Sequence, residues 1–96
     1  MEDCLFCDFD NDELLEEGRY CYARRDGYPV SEHHTLIIPK RHVASYFDLE
    51  EPELLDMHQM LVKMKARIEE WDATVSGFNV GVNAGKDAGQ SIFHVH

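Results

Sequence analysis

Between Pro52 and Trp71 the apolar residues Leu54, Met57, Leu61, Met64, Ile68 and Trp71 recur at three- and four-residue steps, the repeat of one face of an α-helix. Glu50, Glu51, Pro52 and Glu53 mark its start, with proline in the first turn and negative charge at the positive end of the helix dipole. Met57, Met60 and Met64 on this helix read as core packing or a subunit interface, since methionine commonly fills irregular gaps. Strand-like segments flank it. Tyr20-Cys21-Tyr22-Ala23, within Arg19 to Arg25, is rich in strand formers and is followed by the turn residues Asp26-Gly27-Tyr28-Pro29. Thr35 to Pro39 is a short apolar run stopped by proline. After the helix, Phe78, Val80 and Val82 alternate with Asn79, Gly81 and Asn83, and Ser91 to His96 alternates again. The order strand, strand, helix, strand, loop, strand predicts an α+β domain with an antiparallel sheet and one long helix. The acidic segment from Asp8 to Glu17, with a turn at Asp10-Asn11-Asp12, reads as part of an N-terminal arm outside the sheet.

Composition narrows the function classes. The 96 residues suffice for one domain, and 44% apolar with 29% charged residues is an ordinary globular balance. Nineteen acidic against nine basic residues give a formal charge of −10, which argues against a broad DNA or RNA footprint; an anionic substrate must be held by a local constellation. No apolar run is long enough to span a membrane and no signal-peptide pattern opens the chain, so the expected setting is the cytoplasm. Three cysteines in such a chain argue against a disulfide framework and leave metal binding or redox chemistry.

Three features can carry chemistry. His94 and His96, two residues apart in an extended segment, would face one side roughly 6.5–7 Å apart; such a pair can ligate a metal, move protons or attack through an imidazole nitrogen, or simply line a surface. Cys4-x-x-Cys7 has the spacing of half a zinc site, needing two more nitrogen or sulfur ligands. A redox reading of the same motif expects a neighbouring βαβ unit, and the residues after Cys7 do not resemble one. Cys21, between tyrosines, reads as a small buried hydrophobe. The loop Gly85 to Gln90 suits either a hairpin connection or an anion, with glycines that admit phosphate oxygens to backbone N–H groups and with Lys86, Gln90 and Ser91 as further donors. It leads directly into the strand bearing both histidines.

His34-Thr35-Leu36-Ile37-Ile38-Pro39-Lys40-Arg41-His42, Asn83-Ala84-Gly85 and Ala88-Gly89-Gln90-Ser91-Ile92-Phe93-His94-Val95-His96 together resemble the histidine triad (HIT) nucleotide hydrolases and transferases, over almost the whole chain. The family signature is His-φ-His-φ-His-φ-φ, where φ is apolar. The resemblance implies a HIT-like fold with a zinc-pinned N-terminal arm, attack on the α-phosphate of a nucleotide, and substrates such as phosphoramidates, adenylylated compounds or dinucleoside polyphosphates. It casts His96 as the nucleophile that forms a nucleotidyl-histidine, with His94, Ser91 and His34 as further catalytic positions. Asn83, Gly89, Gln90 and Ser91 fall at substrate-contacting positions, and Cys4, Cys7, His42 and His94 would hold a structural zinc. A homodimer paired through the helix and Phe78 to Val82 is also implied. The alternative is a non-catalytic, zinc-stabilised nucleotide-binding domain. His33 stands where the family usually has glycine. The chain stops between the second and third histidines of the signature, which reads as a single domain whose C-terminal part is missing.

Overall fold

In the computed structural model the described residues are 4–7, 14–26 and 32–96. Three strands, β1 (Leu14–Glu17), β2 (Cys21–Arg25) and β3 (Thr35–Pro39), form an antiparallel sheet in the order β1-β2-β3, and a single long helix, α1 (Glu51–Trp71), follows. Short 3₁₀ turns lie at Leu5–Cys7, Tyr46–Asp48 and Lys86–Ala88.

β2 is the central strand, and its two faces serve different layers. Side chains alternate along a strand, so Cys21 and Ala23 face α1, where they pack with Met60 and Met64, flanked by Leu15, Ile37 and Met57. Tyr22 faces the other way, packing with Phe6 and Ile38 beside Cys4, Leu14, Leu36 and Ile92. The pairings Cys21↔Pro39, Ala23↔Ile37 and Arg25↔Thr35 fix this register, because a one-residue slip would exchange the two faces. The Tyr22 hydroxyl donates to the Phe6 carbonyl at 2.6 Å, tying the N-terminal turn to the second face.

The helix begins one residue before the expected proline and ends at Trp71 as its periodicity predicts. Its buried residues are Glu53, Met60, Met64 and Ile68, so the inner stripe is turned toward the methionines, while Trp71 is 46% exposed beneath the Arg67 guanidinium. The α1 end of the molecule is fastened to the β1–β2 connection by Asp56, whose carboxylate accepts from Tyr20 N–H at 2.7 Å and from the Cys21 thiol at 3.3 Å. Gly18 lies so close that a Cβ there would stand 2.7 Å from Asp56 Oδ2. Burial, reinforced by Asp56, pushes the Cys21 thiol up to about 12, in keeping with an inert packed side chain.

Several sequence expectations need correction. Leu14–Glu17 is a strand rather than arm: Leu15 packs toward the helix, while Arg67 donates to the Leu15 carbonyl at 2.9 Å and to Glu16 at 3.0 Å. Its acidic residues lie on an edge strand, where charge is ordinary. β2 starts at Cys21, two residues later than expected. Residues 78–82 and 91–96 do not form strands. Alternation specifies a pleat only where a neighbour accepts the backbone hydrogen bonds, and 78–82 has no such ladder among the described residues; Val80 is 67% exposed. The turns expected at 10–12 and 27–29 lie outside the described residues.

Met64 is 2% exposed at the centre of the helix-facing core. Met64→Ala is expected to lower stability by about 2–5 kcal/mol, measured by urea denaturation; a loss under about 1 kcal/mol would mean that the α1–sheet interface is not the main core.

Candidate metal centre and histidine site

Three separate segments meet beyond the Pro39 end of β3: the Leu5–Cys7 turn, the residues after Pro39, and the C-terminal segment. The turn presents Cys4 and Cys7 together, its hydrogen bond running from Cys7 N–H to the Cys4 carbonyl. His42 arrives because Arg41, one residue earlier, is clamped to the start of α1: its Nε and Nη2 donate to the two Glu53 carboxylate oxygens at 3.1 and 2.7 Å. Glu53 Oε1 also accepts the Glu50 N–H at 2.9 Å. A buried glutamate in the first helical turn is thus a positioning group for the metal-side loop. The Arg41 guanidinium holds its carboxyl below the usual carboxylate range.

The C-terminal segment enters through backbone contacts. Val95 N–H donates to the Val43 carbonyl at 2.8 Å, and Gln90 Nε2 donates to the Ala44 carbonyl at 2.7 Å and the Ile92 carbonyl at 3.0 Å. Gln90 Oε1 accepts Gly85 N–H at 2.8 Å. Gly85 and Gly89 both have positive φ, at 98° and 91°, a conformation glycine adopts without a Cβ penalty. The loop is therefore shaped from within by a buried carboxamide. Asn83 lies over it, with Nδ2 3.6 Å from where a Gly89 Cβ would stand.

The result is a cluster of Cys4, Cys7, His42 and His94 whose donor atoms all lie within 4.8 Å of one another. Cys4 Sγ is 3.4 Å and Cys7 Sγ 3.7 Å from His94 Nδ1; Cys7 Sγ is 3.2 Å from His42 Nδ1; the two Nδ1 atoms are 3.2 Å apart. A tetrahedral zinc with ordinary bond lengths would set such edges at roughly 3.3 Å between nitrogens and 3.6 Å between sulfur and nitrogen. The donor set fits. His94 is fully buried, and its Nε2–H donates to the Pro39 carbonyl at 2.7 Å, which leaves the lone pair on Nδ1, the atom facing the cysteines. Burial lowers its pKa, favouring the neutral ring that a metal needs. Burial, then the neighbouring Cys4, pushes the Cys7 thiol above its ordinary value, the reverse of a redox-active cysteine.

His96 is arranged the opposite way. Its Nδ1–H donates to the His94 carbonyl at 2.9 Å, so the free lone pair is on Nε2, and its ring packs against Phe6 with centroids 4.8 Å apart. The two histidines do not stand side by side as on a strand, because the segment bends at residues 92–94. Ser91 is exposed just before that bend. His34 lies elsewhere: it precedes Thr35, at the opposite end of β3 from Pro39, with Nδ1 3.2 Å from Asp26 Oδ2. Sequence reasoning missed Phe6, the Arg41–Glu53 clamp and the Pro39 carbonyl. The first had a signal, as the apolar residue inside Cys-x-x-Cys; a backbone acceptor leaves none.

Residues 10–96 match the family model described as the HIT domain. The chain belongs to the HIT-domain family. Among HIT relatives it is 32% identical over 101 residues to a 16.1 kDa HIT-like protein of Mycoplasma pneumoniae, covering 97% of this chain and 67% of that one. It is 37% identical over 97 residues to the adenosine 5′-monophosphoramidase HNT1 of Saccharomyces cerevisiae, covering 97% of this chain and 58% of that protein. It thus spans about two thirds of the Mycoplasma relative and less of the yeast one. A HIT family protein of Bacillus anthracis superposes with a TM-score of 0.88 at 30% identity, over 99% of this chain and 70% of that one. A zinc-bound histidine triad family protein of Mycobacterium smegmatis gives 0.87 at 26% identity, over 99% and 71%. The HIT fold expected from the motifs is therefore present, as is an antiparallel sheet with one long helix. Among the described residues no helix is long and apolar enough to cross a membrane.

The Arg41 clamp makes a titration test. Glu53 has a lowered folded-state pKa, so its contribution to stability is present above the ordinary value of 4.5 and is lost as pH falls through the lowered one. Arg41→Gln is expected to move the Glu53 pKa back toward 4.5, read by NMR titration; an unchanged value would assign the shift to other groups.

Proposed function

We propose that this chain is a zinc-stabilised nucleotidyl hydrolase or transferase of the HIT family. The observation that carries the reading is the His96 Nδ1–H bond to the His94 carbonyl, which holds the ring in the tautomer whose Nε2 can attack. In the proposed reaction His96 Nε2 forms a bond to the α-phosphorus of a nucleotide as the bond to the leaving group breaks, and the leaving group departs with the electron pair. Water then attacks the phosphorus, the N–P bond breaks, and nucleoside monophosphate and neutral His96 are regenerated. The Ser91 hydroxyl, exposed beside the bend, would donate a proton toward the leaving atom. Gly89 and the loop backbone would face the phosphate, with Asn83 at its border. Gln90 would serve the same site by holding the loop, since its carboxamide is bound to Gly85, Ala44 and Ile92. His34 would act on the sugar side, next to Asp26. The yeast relative's name, an adenosine 5′-monophosphoramidase, supports phosphoramidates as the first substrates to try.

Cys4, Cys7, His42 and His94 would hold the zinc, a closed two-cysteine, two-histidine set whose role is structural. His94 would thereby be fixed, and with it the carbonyl that orients His96. A second copy of the chain is proposed to cover the exposed Val80 and Val62, each more than half accessible.

Incubation with adenosine 5′-phosphoramidate is expected to yield AMP and a peptide containing adenylylated His96, detected by mass spectrometry. His96→Asn should lower turnover by at least about 10³-fold. Folded protein giving neither adduct nor AMP would favour the non-catalytic nucleotide-binding alternative. For the metal, one zinc per chain is expected by elemental analysis, and Cys4→Ser should lower both zinc content and melting temperature. Unchanged zinc content and stability in that variant would remove Cys4 from the site.

A further inference from the structure

A second group of metal-ligating side chains lies at the other end of β3 from the cysteines. Glu32, His33 and Asp72 each offer one ligand atom, and the three atoms lie within 4.8 Å of one another. None of them has a part in the reaction proposed above. Glu32 and His33 stand in the turn that leads to Thr35, the first residue of β3, whereas Asp72 is the C-cap residue of α1. Glu32 is exposed, while the His33 and Asp72 side chains are only 26% and 25% accessible. Asp72 is held from behind. Its Oδ1 accepts the Thr74 N–H at 3.0 Å and the Thr74 hydroxyl at 2.5 Å, which aims Oδ2 at His33 Nε2, 3.0 Å away. The hydrogen bonds from Thr74 and His33 hold the Asp72 carboxyl down at about 2, so a fixed anion faces the imidazole. Glu32 and His33 also line a cavity of about 130 Å³, which has room for several waters.

One imidazole nitrogen with two carboxylates is a donor set for a zinc-class ion; calcium and magnesium favour all-oxygen surroundings. Ligation needs the neutral ring, and two carboxylates beside it then leave two negative charges for a divalent ion to balance. Ordinary bond lengths set tetrahedral nitrogen and oxygen donors roughly 3.3 Å apart. The His33–Asp72 pair is already nearer than that, and Glu32, the exposed member, has the side-chain torsions to close the remaining gap. Three protein ligands leave the fourth position open to water from the cavity, unlike the closed two-cysteine, two-histidine set around His94.

We propose that Glu32, His33 and Asp72 form a second metal site, an open three-ligand site for a zinc-class divalent ion that completes its coordination with water. The ion takes the place of the hydrogen bond between His33 and Asp72. The site is independent of the nucleotide reading and of the cysteine centre, and its test uses neither turnover nor nucleotide. Zinc chloride titrated into the whole chain, dialysed first so that only tightly held metal remains, is expected to fill one further site per chain by calorimetry. The same addition should shift the His33 ring resonances in NMR spectra. His33→Ala, Asp72→Asn and Glu32→Gln should each weaken this uptake at least about ten-fold, with the metal that survives dialysis unchanged. Asp72→Asn keeps an oxygen for Thr74 and so preserves the end of α1; if His33→Ala does not fold, the other two variants and the wild-type spectra decide. No further uptake, uptake that leaves the His33 resonances unmoved, or full affinity in any folded variant of the three overturns the proposal.

Discussion

The hydrogen bond from His94 Nε2–H to the Pro39 carbonyl is the contact on which the rest of the site depends. It joins the last residue of β3 to a histidine 55 positions later in the chain, and it does so in the interior. By occupying Nε2 it directs the remaining lone pair toward two cysteines and a second histidine. It also fixes the His94 peptide, whose carbonyl orients His96. Two backbone oxygens thus leave the free lone pair on Nδ1 in His94 and on Nε2 in His96, opposite outcomes for the two rings.

Those backbone oxygens are available because β3 ends at a proline and the chain then runs irregularly to α1. Val43 and Ala44 in that stretch turn their carbonyls to the C-terminal segment, one to Val95 and one to Gln90. In a regular strand or helix both would be consumed internally. The site is therefore built where regular structure stops, and α1 steadies it from the side through Glu53 and Arg41. A carboxylate buried at a helix start acts here as an anchor for a loop outside the helix.

The sequence was most legible where a pattern reports one local environment. The α1 periodicity located the helix to within a residue because the three- and four-residue apolar spacing runs along its whole length, although the buried stripe is turned toward Met60. The four-residue donor set Cys4, Cys7, His42 and His94 was expected from family resemblance, and the structure brings it together. Legibility failed where a pattern requires a partner. Phe78 to Val82 alternates correctly yet stays out of the sheet, and Leu14–Glu17 pairs although its charge masks the strand. Gln90 was read as a phosphate donor because glutamine beside a glycine loop can be one; its carboxamide instead satisfies three backbone groups, a role visible only once the loop has closed. His34, a further catalytic position by the resemblance, stands five strand residues from the Pro39 end, a separation along β3 that the motifs do not report.

Arg67, reaching from α1 to the Leu15 carbonyl and to Glu16, has an effect beyond holding β1 in place. A strand at the margin of a sheet exposes acceptors that another chain could pair with. Here one of those acceptors is already engaged, and the whole molecule carries ten excess negative charges that repel a second copy. The helix thus makes the β1 margin a poor template for intermolecular sheet growth, so resistance to aggregation at that margin is written into the same contact that packs the fold.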